Sequence, residues 1–456
     1  MITRTLIQRR SRALVSVLLL GAACSTDKIL KVETPDIIGQ DKLNGVLGAN
    51  TYYAGALGDF AVAHDGGNGA TGSFGTVASV GLFTDEMQFG GTPPEVRQLD
   101  LRAVTKENSF FRDIFYVMHR ARQSAERAAQ ALVDAKITDG RAGEMYAVAG
   151  LATTILGEAF CSGIPFSSTL TGIPEYGSPL STSEVMDKAL GYLTLASANV
   201  GSNQHAANLT KVVRGRALLS QKKYADAAAA VAGVPTDFVY QNQHSEADSR
   251  TQNNMKALMY DFDYTPVSVG PDGTTGGEVG YGLPFAAAQD PRVVTVFTGV
   301  SRFDGKTPMY RLPLYISFGA PVTAASGVEA RLIEAEAALN ANDLTSFLSK
   351  LTAARIPFGM GPVADPGTAL GRKLLLFSER AFALYATAHR VGDQRRMVRD
   401  YGLTPVQAGV PPAGTPYHKD NLLIGNGGPT DQSFVIPANE ENNPNYKSEV
   451  CKKDTP

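Results

Sequence analysis

Three cysteines are the residues best suited to covalent chemistry in this 456-residue chain. Cys24 follows a basic segment that contains Arg4 and Arg12, and then an apolar segment from Ala13 to Leu20. Because that apolar segment is too short to span a bilayer as a helix, residues 1–23 are predicted to be a secretion signal that is removed. Its small residues end in a cysteine, which favours a lipoprotein signal over an ordinary cleaved signal and makes Cys24 the acylated residue.

An acylated Cys24 predicts a soluble body tethered to a membrane by lipid. Each buried methylene of an acyl chain contributes about 0.8 kcal/mol to such anchoring. Ser25 rather than an aspartate follows the cysteine, which favours export to the outer membrane, facing the cell exterior. The formal net charge of −2 gives no indication of a nucleic-acid partner.

Cys161 and Cys451 remain once Cys24 is acylated. The envelope outside the inner membrane is oxidising, so these two thiols are candidates for a disulfide that ties the end of the chain to its first half. The alternative is a pair of free thiols, with Cys161 buried and Cys451 in a mobile tail. The disulfide is favoured because exposed free thiols are uncommon in this compartment.

The other residues form no pattern typical of an enzyme. A glycoside hydrolase needs two carboxylates roughly 5 to 10 Å apart, and no sequence pattern pairs two of them here. The chain has no His-Glu-x-x-His, no Gly-x-Ser-x-Gly and no phosphate-binding glycine loop. Asp261 and Asp263 alternate as at the start of a calcium loop, but its glycine and distal glutamate are missing. We therefore predict a non-catalytic protein with no cofactor and no metal.

The elements that position these residues are predicted to be mainly helices. Apolar and alanine residues recur at helical spacing from Phe111 to Ala135 and from Gly140 to Phe160, which predicts an antiparallel helical hairpin. A third helix is predicted after Ser181, since Glu184 completes a capping-box spacing. Residues 64–80 are rich in Gly, Ala, Ser and Thr and are predicted to be a flexible surface loop.

Two further pairs of segments resemble tetratricopeptide helix pairs, in which small residues let two helices approach. They are Asn208–Gln221 with Tyr224–Val234, and Ala330–Asn340 with Leu344–Ile356. The spacing between the pairs is irregular. We therefore predict isolated repeat-like hairpins embedded in a larger helical body, not a regular solenoid.

Composition divides the chain after its signal into three segments. Residues 24–50 are predicted to be a lipidated tether that enters the first helix, and residues 51–235 an N-terminal helical half. Residues 236–456 combine a loop-rich insertion, the later hairpin and a C-terminal helix and loop. The three are expected to form one compact unit, in which the loops of 236–320 are the natural place for function.

Two motifs near the C-terminus place charged and turn-forming residues in a fixed order. One long helix is predicted from Lys373 to Arg399, with Arg390 and Asp393 paired on one face; ion pairs that pin the helix are favoured over catalysis. This helix contains Glu379, Arg380, Arg390, Asp393, Arg395 and Arg396. The final segment is predicted to be an ordered loop with Pro437, Glu440, Asn443, Pro444 and Asn445.

Together with the acylated start, these motifs resemble the SusD/RagB family of outer-membrane nutrient-uptake lipoproteins. The middle of the chain is also similar, at Gly282–Phe285, Asp290–Arg292 and Glu329–Glu336. In the late helix the family often has a second glutamate and a Glu-Gly, where this chain has Ala383 and Thr387-Ala388. The departure suggests a divergent branch of the family.

The resemblance implies a fold and a function. The fold would be mostly α, with tetratricopeptide-like helix pairs packed as a scaffold and long irregular loops. The function would be capture of an oligomeric nutrient, a glycan before a peptide, and its delivery to a SusC-like TonB-dependent transporter. A structural lipoprotein whose helix pairs bind only other proteins is the alternative.

Aromatic stacking on sugar faces is the interaction that such capture would use. The chain has no Trp but has 17 Tyr and 20 Phe, so Tyr and Phe must serve if the ligand is a glycan. Each candidate could instead pack in the core or anchor a loop. The candidates in loop-rich segments are Phe74, Phe83 and Phe89 near Asp85 and Arg97, followed by Tyr260, Tyr264 and Tyr281.

Overall fold

Helices dominate the computed structural model of the protein, in agreement with the predicted mostly-α fold class. Cys24, Asp263 and Tyr281 lie outside the described residues, as does the predicted signal. The structure describes residues 44–67, 74–247, 249–261, 264–266, 282–415 and 423–456.

The α-helices of these ranges fall into two groups, one before residue 232 and one after residue 326. The first group is α1 (Gly45–Asp65), α2 (Gly75–Phe83), α3 (Pro94–Asp100), α4 (Ser109–Asp134), α5 (Arg141–Ala159), α6 (Thr182–Asn199), α7 (Gln204–Ser220) and α8 (Tyr224–Val231). The second group is α9 (Gly327–Asn340), α10 (Leu344–Arg355), α11 (Ala369–Ala383) and α12 (Arg390–Arg399).

The strands are short and form antiparallel pairs between and beside the helices. They are β1 (Met87–Phe89) with β5 (Tyr264–Pro266), β2 (Ile164–Pro165) with β3 (Pro179–Leu180), β4 (Val239–Asn242) with β8 (Val322–Ser326), and β6 (Val296–Ser301) with β7 (Pro308–Arg311). A π-helix, Lys256–Asp261, precedes β5.

The predicted helical hairpins are present. Helix α4 packs on α5, and α6 packs on both α5 and α7. Helix α6 begins with the predicted capping box: the Ser181 hydroxyl accepts from the Glu184 N–H, and the Glu184 carboxylate accepts from the Ser181 N–H at 2.7 Å. This box satisfies backbone donors that the first helical turn would otherwise leave unpaired.

The tetratricopeptide-like pairs are α7 with α8 and α9 with α10, and α8 packs against α9. Gly215 on α7 makes this approach possible, because a Cβ there would lie 2.5 Å from Val231 and 3.1 Å from Ile333. Ala227 on α8 is fully buried in the same contact region. Small residues thus set the spacing of the helices, as the sequence predicted.

The prediction of a flexible loop over residues 64–80 is wrong in its described part. Residues 64 and 65 end α1, and every residue of α2 is buried. A helix that is covered on all sides shows no polar face, so no amphipathic period marks it in the sequence. Its Gly, Ala, Ser and Thr residues permit close packing rather than mobility.

The prediction of one helix from Lys373 to Arg399 is also wrong. Helix α11 ends at Ala383 and α12 begins at Arg390, with a turn between them in which Ala386 and Ala388 have φ of 55° and 61°. On a straight helix, Arg380 and Asp393 would lie about 20 Å apart. The break brings them into direct contact, with Arg380 Nε donating to Asp393 Oδ2 at 2.8 Å.

A disulfide joins Cys161, after α5, to Cys451 near the C-terminus, the pairing that the sequence favoured. Around it lies the larger hydrophobic core, to which α1 to α9, α11 and α12 contribute; α9 to α12 enclose a second core. Among the described helices none combines the length and the apolar composition needed to cross a membrane.

Candidate ligand surface

Three of the predicted ligand aromatics come together, but inside the protein. The Tyr264 ring lies 6.0 Å from Phe74 and 5.6 Å from Phe89, centroid to centroid, and Phe74 packs on Phe110 at 4.1 Å. Phe89 and Tyr264 are buried, and Phe74 is partly buried against the core. A ring whose faces are covered by core side chains cannot stack on a sugar, so Phe89 and Tyr264 serve packing.

Phe83 and Asp85 are buried as well. Phe83 packs edge-on against Phe434 at 5.0 Å and lies under the guanidinium of Arg102 at 4.8 Å. Asp85 is fully occupied by Arg390, which donates two hydrogen bonds to its carboxylate. A salt-bridged carboxylate in the core is not available to a ligand, so these two residues are structural.

Arg97 and Tyr260 are partly exposed. Arg97 donates to the carbonyl of Gly91 at 2.5 Å and stands 5.7 Å from the centre of the Phe89 ring. The Arg311 guanidinium lies 5.0 Å from the Tyr260 ring, and its Nε donates to the Tyr260 carbonyl at 3.0 Å. With Phe74, these are the described members of the predicted set that keep partial exposure.

Two strongly exposed aromatics lie one element further along the chain, on the β6–β7 hairpin, and Tyr176 is exposed on another loop. Phe297, Val300 and Phe303 have exposed fractions of 55%, 59% and 78%. The Phe297 ring packs beside Tyr310, its partner across the two strands, at 5.1 Å. We call Phe297, Val300, Phe303 and Tyr310 the hairpin face.

A rigid base supports the hairpin face. The Arg302 guanidinium is buried and donates to the carbonyls of Tyr264 and Tyr310, the second at 2.7 Å. The Tyr310 N–H donates to the Thr265 hydroxyl at 2.9 Å. Strand β7 is therefore fixed to β5, and the buried aromatic cluster lies beneath the exposed one.

The ends of the hairpin are equally well fixed. The N–H of Asp304 donates to the carbonyl of Gly90 at 2.8 Å, and the Asp304 carboxylate accepts from Thr307 N–H at 2.9 Å. The strand register shifts between Phe297 and Ser301, and Gly299 within this bulge has φ of 79°, which glycine adopts without strain. The bulge lies between Phe297 and Ser301, and Phe297 and Phe303 on either side of it are exposed.

Sequence reasoning missed Phe297 and Phe303, although both lie in the segment 236–320 whose loops were expected to carry function. A usable signal was present in the Asp304-Gly305 pair, which lies between two alternating apolar segments. Such a pair is a strong short-range indication of a hairpin. A two-stranded hairpin at the edge of a helical body has no second layer to cover its residues, so its apolar side chains stay exposed.

The late-helix motif forms a buried ionic network rather than a ligand site. Arg380 and Arg396 both donate to Asp393, and Arg396 also donates to Glu336 at 2.7 Å. The predicted Arg390–Asp393 pair is wrong, since Arg390 reaches Asp85 instead. Burial alone would raise the pKa of Asp393, but the two guanidinium groups outweigh it and hold that pKa well below its usual range.

Glu379 and Arg395 make separate contacts beside this network. Glu379 accepts from Arg292 at 2.7 Å. Arg395 donates to the carbonyls of Gly157, Glu158 and Phe160, and thereby satisfies the C-terminal end of α5. Burial lowers the pKa of Arg395 to about 10. The motif thus holds α5, α11 and α12 together.

The C-terminal motif fastens a surface loop. Asn443 donates to the carbonyl of Gly177 at 2.9 Å, and Asn445 donates to that of Tyr176 at 2.8 Å. Burial raises the pKa of Glu440, which shares a hydrogen bond with Tyr116. Pro437 precedes the 3-10 turn Ala438–Asn442, and Pro444 separates the two asparagines. None of the described residues forms a group of His, Cys, Asp or Glu suited to a metal ion.

Comparison with solved structures identifies the fold. A SusD superfamily protein from Bacteroides vulgatus has 15% identity and a TM-score of 0.60, over 89% of this chain and 97% of its own. Surface glycan-binding protein A from Bacteroides uniformis has 11% identity and a TM-score of 0.63, over 89% of this chain and 100% of its own. A laminarin-binding SusD-like protein has 16% identity and a TM-score of 0.58, over 81% of this chain and 96% of its own.

The chain therefore has the SusD-like fold, at sequence identities typical of distant relatives. No protein-family model and no curated protein matches its sequence. The fold agrees with the class predicted from the acylated start, the helix pairs and the two C-terminal motifs.

Proposed function

We propose that this protein is a lipid-anchored, surface-exposed glycan-binding protein of the outer membrane that captures an oligosaccharide on its hairpin face. One observation carries the proposal: Phe297 and Phe303 are exposed, and Tyr310 beside Phe297 is partly exposed, on a hairpin that is hydrogen-bonded to the body at its base and tip. Exposed aromatic residues on a rigid support offer apolar faces against which sugar rings can pack.

Polar groups beside the hairpin face supply the second requirement for sugar binding. Arg311 is paired with Val296 across the two strands, and its guanidinium lies 5.0 Å from the Tyr260 ring, so the hairpin carries a cation next to Tyr310 in the sequence. Guanidinium N–H groups can donate to sugar hydroxyls. The fold comparison supports the same class of ligand, since one neighbour is described as laminarin-binding and another as a surface glycan-binding protein.

We further propose that the captured oligosaccharide passes to a SusC-like TonB-dependent transporter. Val294, Leu314 and Ile316 are exposed large apolar residues close in sequence to the hairpin face. Exposed apolar patches larger than those usual on monomeric proteins indicate a protein–protein contact. The acylated Cys24 would keep the protein at the same membrane as its partner.

Binding of purified acylated protein in detergent to immobilised oligosaccharides and peptides tests the capture step. We expect Phe303→Ala to weaken glycan binding about fivefold or more, because stacking contacts of this kind contribute about 1–3 kcal/mol. Ile173→Ala removes an equally exposed apolar side chain from another loop and should leave binding unchanged. Binding of peptides alone would favour the peptide carrier, and release of shortened glycan would indicate an enzyme.

Copurification in mild detergent tests the delivery step. The proposal predicts recovery of a large β-barrel transporter with the acylated chain, and loss of that barrel with Leu314→Asp and Ile316→Asp. Recovery of helical partners only would favour the alternative of a structural, protein-binding lipoprotein.

A further inference from the structure

A cavity lies between α1 and α4, apart from the elements that form the hairpin face. Its volume is about 390 Å³, within the range of ligand sites. Gly55 and Ala56 face it from α1, and a Cβ at Gly55 would meet no atom within 4 Å. The cleft exists because α1 carries no large side chain at these two positions.

The side chains that line the cleft come from one face of each helix. On α4 they recur at helical spacing, from Tyr116 through Arg120, Gln123 and Ser124 to Arg127. On α1, Tyr52 and Asp59 flank Gly55 and Ala56. The cleft thus combines two phenol rings with amide, hydroxyl and guanidinium groups, the set that binds a sugar ring and its substituents.

The residues that line the cleft carry a net positive charge. Asp59 is the one carboxylate among the lining residues, and it is already engaged by Arg250 and by the Ser124 hydroxyl at 2.6 Å. Arg120 meets Asp59 only at 3.5 Å, and its side chain is half exposed. Arg127 donates to the Thr169 carbonyl at 3.3 Å. Since a guanidinium has five N–H donors, Arg120 and Arg127 keep most of theirs for a ligand.

We propose that this cleft binds the carboxylate of an acidic sugar unit, a uronate residue of an oligosaccharide. Arginine suits this task because its planar fork matches a carboxylate through two parallel hydrogen bonds. Tyr52 and Tyr116 cover the ring, and Gln123 and Ser124 bond its hydroxyls. The inference rests on the proposed function only in taking a glycan as the ligand, because none of the cleft residues belongs to the hairpin face.

The orientation of Tyr116 is fixed from outside the cleft. Its hydroxyl shares a hydrogen bond with Glu440, and Glu440 in turn shares one with Asn443. The opposite wall is held by Gln123, whose amide oxygen accepts from the N–H of Thr169 at 2.9 Å. The cleft is therefore a built site, with its ring-bearing and polar walls both anchored to neighbouring segments.

Gly55→Leu provides a selective test, because a Cβ at this position has open space and the substitution adds bulk to the cleft while replacing a glycine inside a helix. Gly58→Leu is the matched control: it is on the same helix, also has open space around its Cβ position, and does not line the cleft. Binding of the acylated full chain in detergent is measured by calorimetry against tetramers of galacturonate, glucuronate and mannuronate. The methyl esters of the same tetramers serve as uncharged controls.

We expect at least one acid tetramer to bind the unaltered protein and Gly58→Leu about tenfold or more tightly than its ester. Gly55→Leu and Arg127→Gln should each lose that preference. Equal binding of acid and ester, no binding of any acid tetramer, or an unchanged preference in Gly55→Leu would overturn the proposal. A sulfated glycan bound with the same dependence on Gly55 would overturn the carboxylate assignment.

The two glycan proposals fail separately in this design. Loss of acid binding with neutral glycan binding intact removes the cleft proposal and leaves the hairpin face as the capture surface. Absence of all glycan binding removes both.

Discussion

Arg390 and Asp85 form a buried ion pair between residues 305 positions apart in the chain. Nε and Nη2 of Arg390 donate to the two carboxylate oxygens of Asp85 at 2.6 and 2.7 Å. Gln394 and the backbone N–H of Leu283 donate to the same carboxylate at 2.9 and 3.0 Å. Asp85 therefore joins α12, the segment after α2 and the chain near residue 283 at one point.

This pair predicts a large stability effect for a substitution that preserves charge. Lysine cannot make the two parallel bonds of Arg390, and it would leave Asp85 buried with weaker compensation. We expect Arg390→Lys to lower the free energy of unfolding by about 3 kcal/mol, measured by urea denaturation.

Arg372→Lys is the matched control for this experiment. Arg372 makes the same two-bond contact with Asp365, at 2.8 Å for both bonds, but on the exposed surface. Water and salt screen such pairs, so the change there should be small. Equal effects of the two substitutions would mean that burial of the Asp85 pair does not matter.

Glu86, next to Asp85, predicts a pH-dependent stability. Burial raises the pKa of its carboxyl to about 8, above the ordinary value of an exposed glutamate. The folded state then retains a proton that the unfolded state loses. The stabilisation that comes from the protonated Glu86 carboxyl is therefore present at pH 4 and is lost as the pH rises towards 8.

Glu86→Gln removes the titration while keeping the size of the side chain. Its melting temperature relative to the unaltered protein should increase steadily from pH 5 to pH 8, because each pH unit in this window is worth up to about 1.4 kcal/mol. A constant difference across the window would show that Glu86 is already ionised in the fold.

The helix pairs and the family motifs were predictable because they depend on local periodicity and on the order of residues. The short-range capping box at Ser181 and Glu184 was predictable for the same reason. The partners of the motif residues were not, since Arg390 reaches Asp85 only after the chain breaks at Ala386 and Ala388. Alanine gives no local signal for a left-handed conformation, so tertiary contacts must impose it.

The candidate ligand surface was predictable in its neighbourhood but not in its residues. Tyr264 and Phe297 belong to adjacent parts of one assembly, since β5 and β6 both flank β7. The Tyr264 ring is covered by Phe74 and Phe89, which lie far earlier in the sequence, so its burial depends on distant tertiary contacts. Aromatic residue type alone cannot distinguish the buried ring from the exposed one.

The disulfide between Cys161 and Cys451 predicts a response to reductant. It closes a loop with a sequence separation of 290, and loss of a native disulfide typically costs about 2–5 kcal/mol. A reducing agent should therefore lower the melting temperature of the protein. The double variant Cys161→Ser, Cys451→Ser should melt at the same temperature as the reduced protein, and the reductant should not change its melting temperature. If both proteins melt at one temperature with and without reductant, the disulfide does not stabilise the fold.

Substitution of Asn445 should change local amide exchange rather than the global stability of the protein. Its amide N–H holds the Tyr176 carbonyl, and a typical hydrogen bond contributes about 1 kcal/mol. Asn445→Asp keeps the size but removes the donor. We expect faster amide exchange confined to residues 168–178, with the melting temperature nearly unchanged. Unaltered exchange in this loop would show that the motif does not fasten it.

Because the chain has no Trp, a single introduced Trp reports directly on whether a glycan binds to the hairpin face. Phe297→Trp places a single reporter on the hairpin face, and Tyr176→Trp places one on an exposed loop as a control. On titration with a glycan that binds, we expect a saturable blue shift of the Trp emission at position 297. The affinity from this shift should equal the affinity measured by calorimetry, and the emission at position 176 should not shift. Glycan binding by calorimetry without any change at position 297 would contradict capture on the hairpin face.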